Sequence, residues 1–155
     1  GSCRWSDVTV FSFHPVKIVT TAEGGIALTN DPGLAASMQM LRTHGITRDP
    51  GRLRDGGDSP PAWHYEQQLL GYNYRMTDLH AALGLSQLGR LDDYVQRRNE
   101  LARRYDRALD GMPLQRPHVA RGNLSAFHLY VVRLRDAAGG RRRRVFDALR
   151  ARGIG

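Results

Sequence analysis

Phe11-Ser12-Phe13-His14-Pro15-Val16-Lys17, continued by Ile18-Val19-Thr20-Thr21-Ala22-Glu23-Gly24-Gly25, is the stretch that decides the fold. Of the 23 lysines and arginines in the 155 residues, Lys17 is the only lysine. The distinction is chemical. A lysine ammonium can lose its proton and become a nucleophilic amine, whereas guanidinium stays charged at any usable pH. Such an amine attacks carbonyls and forms Schiff bases. An arginine-biased composition would leave a stray lysine among polar surface residues, but Lys17 follows an apolar run. Val8, Val10, Phe11 and Phe13 are β-branched or aromatic and are bounded by Asp7 and Pro15, which predicts a strand. Pro15 donates nothing to a ladder and biases His14 away from helix, so the strand ends there. Lys17 is then delivered just past a strand's C-terminal end, where α/β folds place their ligands. Ser12, five positions earlier, offers a hydroxyl to a phosphate. Gly24-Gly25 permits a sharp return into a second strand, Ile26-Ala27-Leu28-Thr29.

Beyond the second strand, Asp31-Pro32 marks a turn and a helix start. Leu34, Met38 and Leu41 recur at helical spacing, which predicts an amphipathic helix over about 33–42, stopped by Gly45. From Thr47 to Ala62 glycine, proline, aspartate and arginine dominate, the composition of an exposed loop. Such a loop serves equally well as an active-site flap or as a plain connection. Residues 63–70 show no clean period. Thr77 reads as an N-cap, with Asp78 in the first helical turn where the dipole favours a carboxylate. Gly89 interrupts the apolar stripe of Leu79, Ala82 and Leu83. A longer stripe follows, with Leu91, Tyr94, Val95, Leu101, Ala102, Tyr105 and Leu109, and its arginines lie largely off that face. Gly111 and Pro113 close this helix. Phe127 to Leu134 is expected to be a strand and Arg141 to Arg152 a helix.

Composition narrows the function. A lone cysteine, Cys3, excludes an internal disulfide and fits a reducing compartment. No apolar run reaches membrane-spanning length and no signal-peptide pattern is present, so a cytoplasmic location is expected. The formal charge of +8 is spread over many arginines, and only Arg141-Arg142-Arg143-Arg144 forms a dense run, read as a solvated first helical turn. A basic nucleic-acid-binding module would need converging arginines, interleaved aromatics or a recognised motif, and none is found. His14, His44 and His80 fit no common zinc spacing, so no metal site is expected.

Two blocks carry a family resemblance. The first is Ser12 to Lys17 with Glu23-Gly24-Gly25. The second is Leu41-Arg42-Thr43-His44-Gly45 followed by Gly71-Tyr72-Asn73-Tyr74-Arg75-Met76-Thr77-Asp78-Leu79-His80-Ala81-Ala82. In order and spacing they resemble the DegT/DnrJ/StrS sugar-nucleotide aminotransferases over most of Val8 to Leu109. That resemblance implies an α/β fold, the PLP-dependent transferase fold type I (aspartate-aminotransferase-like), of which this chain is the central and early C-terminal part. It implies residues 1–88 in a large cofactor-binding domain, a connecting long helix over 89–112 and the start of a small C-terminal domain over 113–155. The cofactor implied is pyridoxal 5'-phosphate (PLP). Lys17 is the implied catalytic residue, holding the cofactor aldehyde and later shuttling a proton. Ser12 is the implied cofactor-phosphate contact, and Asn73 the asparagine that reaches the phosphate of a neighbouring subunit in a homodimer with shared active sites.

Within the family, His14-Pro15-Val16-Lys17 and His44-Gly45-Ile46-Thr47-Arg48 are most similar to the branch serving pseudaminic acid biosynthesis. The implied substrate is a UDP-linked 4-keto-6-deoxy sugar, with L-glutamate as amino donor. A different keto-sugar is the alternative within the family. Lys17 excludes the dehydratases that have lost this lysine, and a noncatalytic PLP-binding regulator would carry an added DNA-binding segment. The family's ring-nitrogen aspartate, stacking residue and N-terminal phosphate loop have no counterparts and are expected before Gly1. The 155 residues taken alone are therefore expected to be inactive.

Overall fold

The computed structural model describes residues 2–55, 59–135 and 140–155. It divides into two compact units, Gly1–Leu88 and Gly89–Gly155. In the first, β1 (Thr9–Ser12) pairs antiparallel with β2 (Gly25–Leu28), in a register running from Thr9 opposite Leu28 to Ser12 opposite Gly25. The strand ends where Pro15 requires it to. Helix α1 (Pro32–Leu41) begins as its sequence dictates. The Asp31 carboxylate accepts the Gly33 and Leu34 amides at 2.7 and 3.0 Å, and Pro32 occupies the first turn, where a missing N–H is harmless. Among the described residues of this unit, Val19, Thr21, Met40, Gly45 and Thr47 are buried.

After α1, β3 (Ile46–Thr47) pairs antiparallel with β4 (Glu66–Gln67). Two residues cannot display a period of two, which is why 63–70 carried no readable pattern. The expected loop over 47–62 contains, among its described residues, a 3₁₀ turn, Pro50–Arg52, capped by Asp49; positions 56–58 lie outside the described residues. Helix α2 (Asp78–Leu88) starts behind Thr77, whose Oγ1 accepts the His80 amide at 3.3 Å.

In the second unit α3 (Leu91–Ala108) follows the break at Gly89-Arg90. Strand β5 (Leu114–Gln115) pairs antiparallel with β6 (Arg133–Leu134). The strand expected from Phe127 to Leu134 is thus regular only in its last two residues. Phe127 has φ of 43°. Two carbonyls that a ladder would use are taken by α3 instead: Arg98 donates to those of Phe127 and His128, at 3.0 and 3.3 Å, while Asn99 holds the preceding Ser125 carbonyl at 2.9 Å. The Tyr130 ring stacks on Tyr105 at 5.1 Å and its hydroxyl donates to Asp106 at 2.6 Å. Burial, with that carboxylate beside it, pushes the Tyr130 phenol up to about 12. Helix α4 (Arg141–Ala151) opens on the arginine run, as expected, behind Gly140 in the left-handed region.

Candidate active site

The Lys17 loop is pinched shut at its base by one residue. The Phe13 N–H donates to the Gly24 carbonyl at 2.9 Å, and the Phe13 carbonyl accepts the Thr21 amide and the Thr20 hydroxyl, both at 3.0 Å. Within the loop the Lys17 N–H donates to the His14 carbonyl at 2.9 Å. This closes a four-residue turn with Pro15 at the position its fixed φ favours. Lys17 is half-buried at the end of that turn. Ser12 closes β1 on the same arm and is exposed. Its Oγ accepts the His14 amide over a long 3.4 Å, an arrangement that commits a lone pair but not the hydroxyl proton. The structure therefore brings Ser12 and Lys17 onto one short hairpin arm.

The return arm is held as tightly. Ala22 has φ of 66°, and the Thr21 hydroxyl donates to the Glu23 carbonyl at 2.7 Å. Gly24 has φ of 145°, open to glycine alone, and a Cβ there would lie 2.6 Å from both the Thr21 Oγ1 and the Met76 Cε. Thr21, only 1% exposed, also meets α2 at Gly84. The Glu23-Gly24-Gly25 motif and the segment opening α2 are thus packed against each other, although some 50 positions of chain separate them.

The second pair of motif segments forms a separate junction. Thr43 and Asn73 form an antiparallel bridge. The Tyr72 amide donates to the Leu41 carbonyl, the His44 amide to that of Tyr72 and the Tyr74 amide to that of Arg42, each at 2.9 Å. Tyr72 and Tyr74 stack on one face at 5.1 Å and 13°, so Asn73 between them points the other way. Its side chain is exposed, and its bridge partner is Thr43 rather than Ser12 or Lys17. A largely apolar groove of about 660 Å³ runs between β2, α1 and the two tyrosines. Ser12, Lys17 and Asn73 do not line it.

Two features had no sequence signal strong enough to read. His14 faces Glu23 across the hairpin, Nε2 to Oε1, at 4.0 Å. Glu66 clamps the loop that precedes it: its two carboxylate oxygens accept the Arg54 and Asp55 amides at 2.7 and 2.9 Å, with His64 at 3.3 Å and Gln68 at 3.4 Å. The Arg54 amide, then that of Asp55, hold its carboxyl down to about 2. Among the described residues no group of three or more histidines, cysteines or carboxylates could hold a metal ion, and no helix is long and apolar enough to cross a membrane.

The strand, the returning hairpin and the lysine between them belong to a PLP-dependent transferase fold of type I, of which this chain forms a part. The model of the DegT/DnrJ/EryC1/StrS aminotransferase family matches residues 1–155, and the chain belongs to that family. A Streptococcus pneumoniae protein assigned as a sugar aminotransferase, solved in its PMP form, is 34% identical with a TM-score of 0.83, over 96% of this chain and 38% of its own. A Helicobacter pylori aminotransferase involved in the biosynthesis of pseudoaminic acid is 31% identical with a TM-score of 0.84, over 96% and 38%. An aminotransferase of Streptoalloteichus hindustanus is 32% identical with a TM-score of 0.78, again over 96% and 38%. The chain thus spans less than two fifths of the length of these relatives.

Proposed function

We propose that this chain is the lysine-bearing part of a PLP-dependent aminotransferase acting on the keto group of a nucleotide-linked 4-keto-6-deoxy sugar. The observation that carries the reading is the chain's one lysine, held at the mouth of the hairpin that Phe13 pinches shut. The donor set fits PLP: the Lys17 amine suits an aldehyde, and the exposed Ser12 hydroxyl on the same arm suits a phosphate. The S. pneumoniae relative, solved in both PLP and PMP forms, supports the same cofactor. When bound, PLP supplies the carbonyl chemistry that carries an amino group from donor to keto acceptor. Lys17 would hold the cofactor through its amine, and its Nζ would accept and return a proton. Ser12 binds the phosphate, and Asn73 reaches the phosphate held by the partner subunit of a homodimer.

The finer assignment is a UDP-linked sugar on the way to pseudaminic acid, with L-glutamate as donor, in the cytoplasm. Similarity to the H. pylori relative supports it. A different keto-sugar is the second reading, favoured by the comparable identities to the S. pneumoniae and S. hindustanus proteins. Residues 1–88 then belong to the large cofactor-binding domain, 89–112 to a connecting helix and 113–155 to the start of the small domain. The 155 residues alone are inactive on this reading. The test is borohydride reduction of the full-length protein with PLP, followed by peptide mapping. The label is expected on the peptide containing Lys17, and label on any other peptide sinks the assignment. Turnover of a UDP-4-keto sugar with glutamate, set against other nucleotide keto-sugars, separates the two substrate readings.

A further inference from the structure

We propose that His14 is a positioning residue for Lys17, acting through its imidazole Nδ1 as the acceptor that holds the lysine turn in shape. The inference rests on the reading of Lys17 given above. In the tripeptide Pro15-Val16-Lys17, proline has no N–H, so only two backbone donors exist. Both go to His14. The Lys17 N–H donates to its carbonyl at 2.9 Å, and the Val16 N–H to its Nδ1 at 3.4 Å. His14 is itself tied back to the strand end, its own amide donating to the Ser12 Oγ at 3.4 Å.

The second ring nitrogen completes the argument. Because Nδ1 accepts from an amide, the neutral ring carries its proton on Nε2. That nitrogen faces the Glu23 carboxylate on the return arm at 4.0 Å. The ring therefore spans the mouth of the hairpin, with one nitrogen on the lysine turn and the other toward the opposite arm. Phe13 fixes the base of the loop, and among the described residues the backbone hydrogen bonds of 15–17 all run to His14. The His14 side chain is 51% exposed, so its role is local and makes little demand on the core. An amine that must meet an aldehyde in one orientation loses rate steeply when its mount is displaced.

The acceptor, not the ring, is what this role requires. Asparagine accepts naturally from the amide two residues on, in an Asx turn, whereas phenylalanine keeps the ring and loses the acceptor. In the full-length apo protein, PLP capture at Lys17 is measured by timed borohydride quenching and peptide mapping, alongside amide hydrogen exchange at Val16 and Lys17. His14→Phe is expected to slow capture by about tenfold or more and to speed exchange at both amides. His14→Asn should stay within about threefold of wild type in capture and keep the amides protected. Wild-type capture rates in His14→Phe overturn the proposal. So does a His14→Asn variant as slow as His14→Phe, since restoring the acceptor would then restore nothing. Absence of capture at Lys17 in the wild type overturns the lysine assignment, while the amide pattern still decides whether His14 holds the turn.

Discussion

Thr21 and Gly84 are in such close contact that a Cβ on the glycine would lie 2.7 Å from the threonine Cγ2. The glycine is mid-helix in α2, and the threonine is the most buried residue of the lysine hairpin. Helix propensity and packing therefore pull in opposite directions. Alanine at 84 gains up to about 1 kcal/mol of helix propensity. Overpacking against a fully buried, β-branched neighbour costs about 1–3 kcal/mol.

Packing should win. Gly84→Ala is expected to destabilise the protein by about 1 kcal/mol. Thr21→Ser removes the offending methyl and keeps the 2.7 Å hydrogen bond to the Glu23 carbonyl. In that background Gly84→Ala should be neutral or stabilising. A double-mutant cycle by urea denaturation measures the difference, and additive losses would show that the two residues do not meet.

The junction of the two motif segments is less forgiving. A Cβ on Gly45 would sit 1.8 Å from the Leu69 carbonyl oxygen, and Gly45 has φ of +69°. A Cβ on Gly71 would lie 2.3 Å from the Gly45 nitrogen. Backbone cannot step aside as a side chain can. Gly45→Ala and Gly71→Ala should each cost on the order of 4 kcal/mol. Gly111→Ala, with φ of +73° but open space around it, should cost only about 1 kcal/mol. A Gly45→Ala loss no larger than that of Gly111→Ala would mean that backbone strain, not close approach, explains Gly45.

Glu66 makes a prediction in pH. Its carboxyl lies at about 2 in the folded chain, below its ordinary 4.5. A depressed carboxyl contributes stability above the ordinary value and loses it as pH falls through the folded one. Protection of the Arg54 and Asp55 amides should hold down to about pH 4 and disappear between there and pH 2. Glu66→Gln should abolish the protection at pH 7. Amide exchange factors corrected for intrinsic rates provide the check.

Lys17 and Asn73 can be separated by subunit. Lys17→Arg keeps the charge, forms no borohydride-stable bond to PLP and should abolish transamination. Lys17→Ala and Asn73→Ala parents should each lose activity. On the shared-site proposal their mixed dimers would contain one site with both native residues, so random mixing should restore about a quarter of wild-type turnover. Mixed dimers that form and stay inactive would put both residues in one subunit's site.

Much of this architecture was readable because its signals were local. Pro15 ended β1, Asp31 and Pro32 opened α1, and Thr77 opened α2, each through chemistry within a few residues. The lysine stood out because it was solitary. What escaped depends on partners distant in sequence. Glu66 looks like any polar residue until the amides 11 and 12 positions earlier turn toward it. The segment from Phe127 has strand-forming side chains, yet its first two carbonyls were claimed by Arg98, 29 and 30 positions away. Propensity describes what a residue prefers, and here α3 decided which preference could be met.

Lys17 gives the chain one more property. A protease that cuts only after lysine has a single bond to attack here, Lys17–Ile18, in the loop that Phe13 closes. Occupying Nζ hides that bond from the enzyme. Digestion of the unfolded chain after chemical fixation then leaves this stretch either cut at that bond or intact across it, and the ratio counts the fraction of Lys17 occupied, without a chromophore or a substrate.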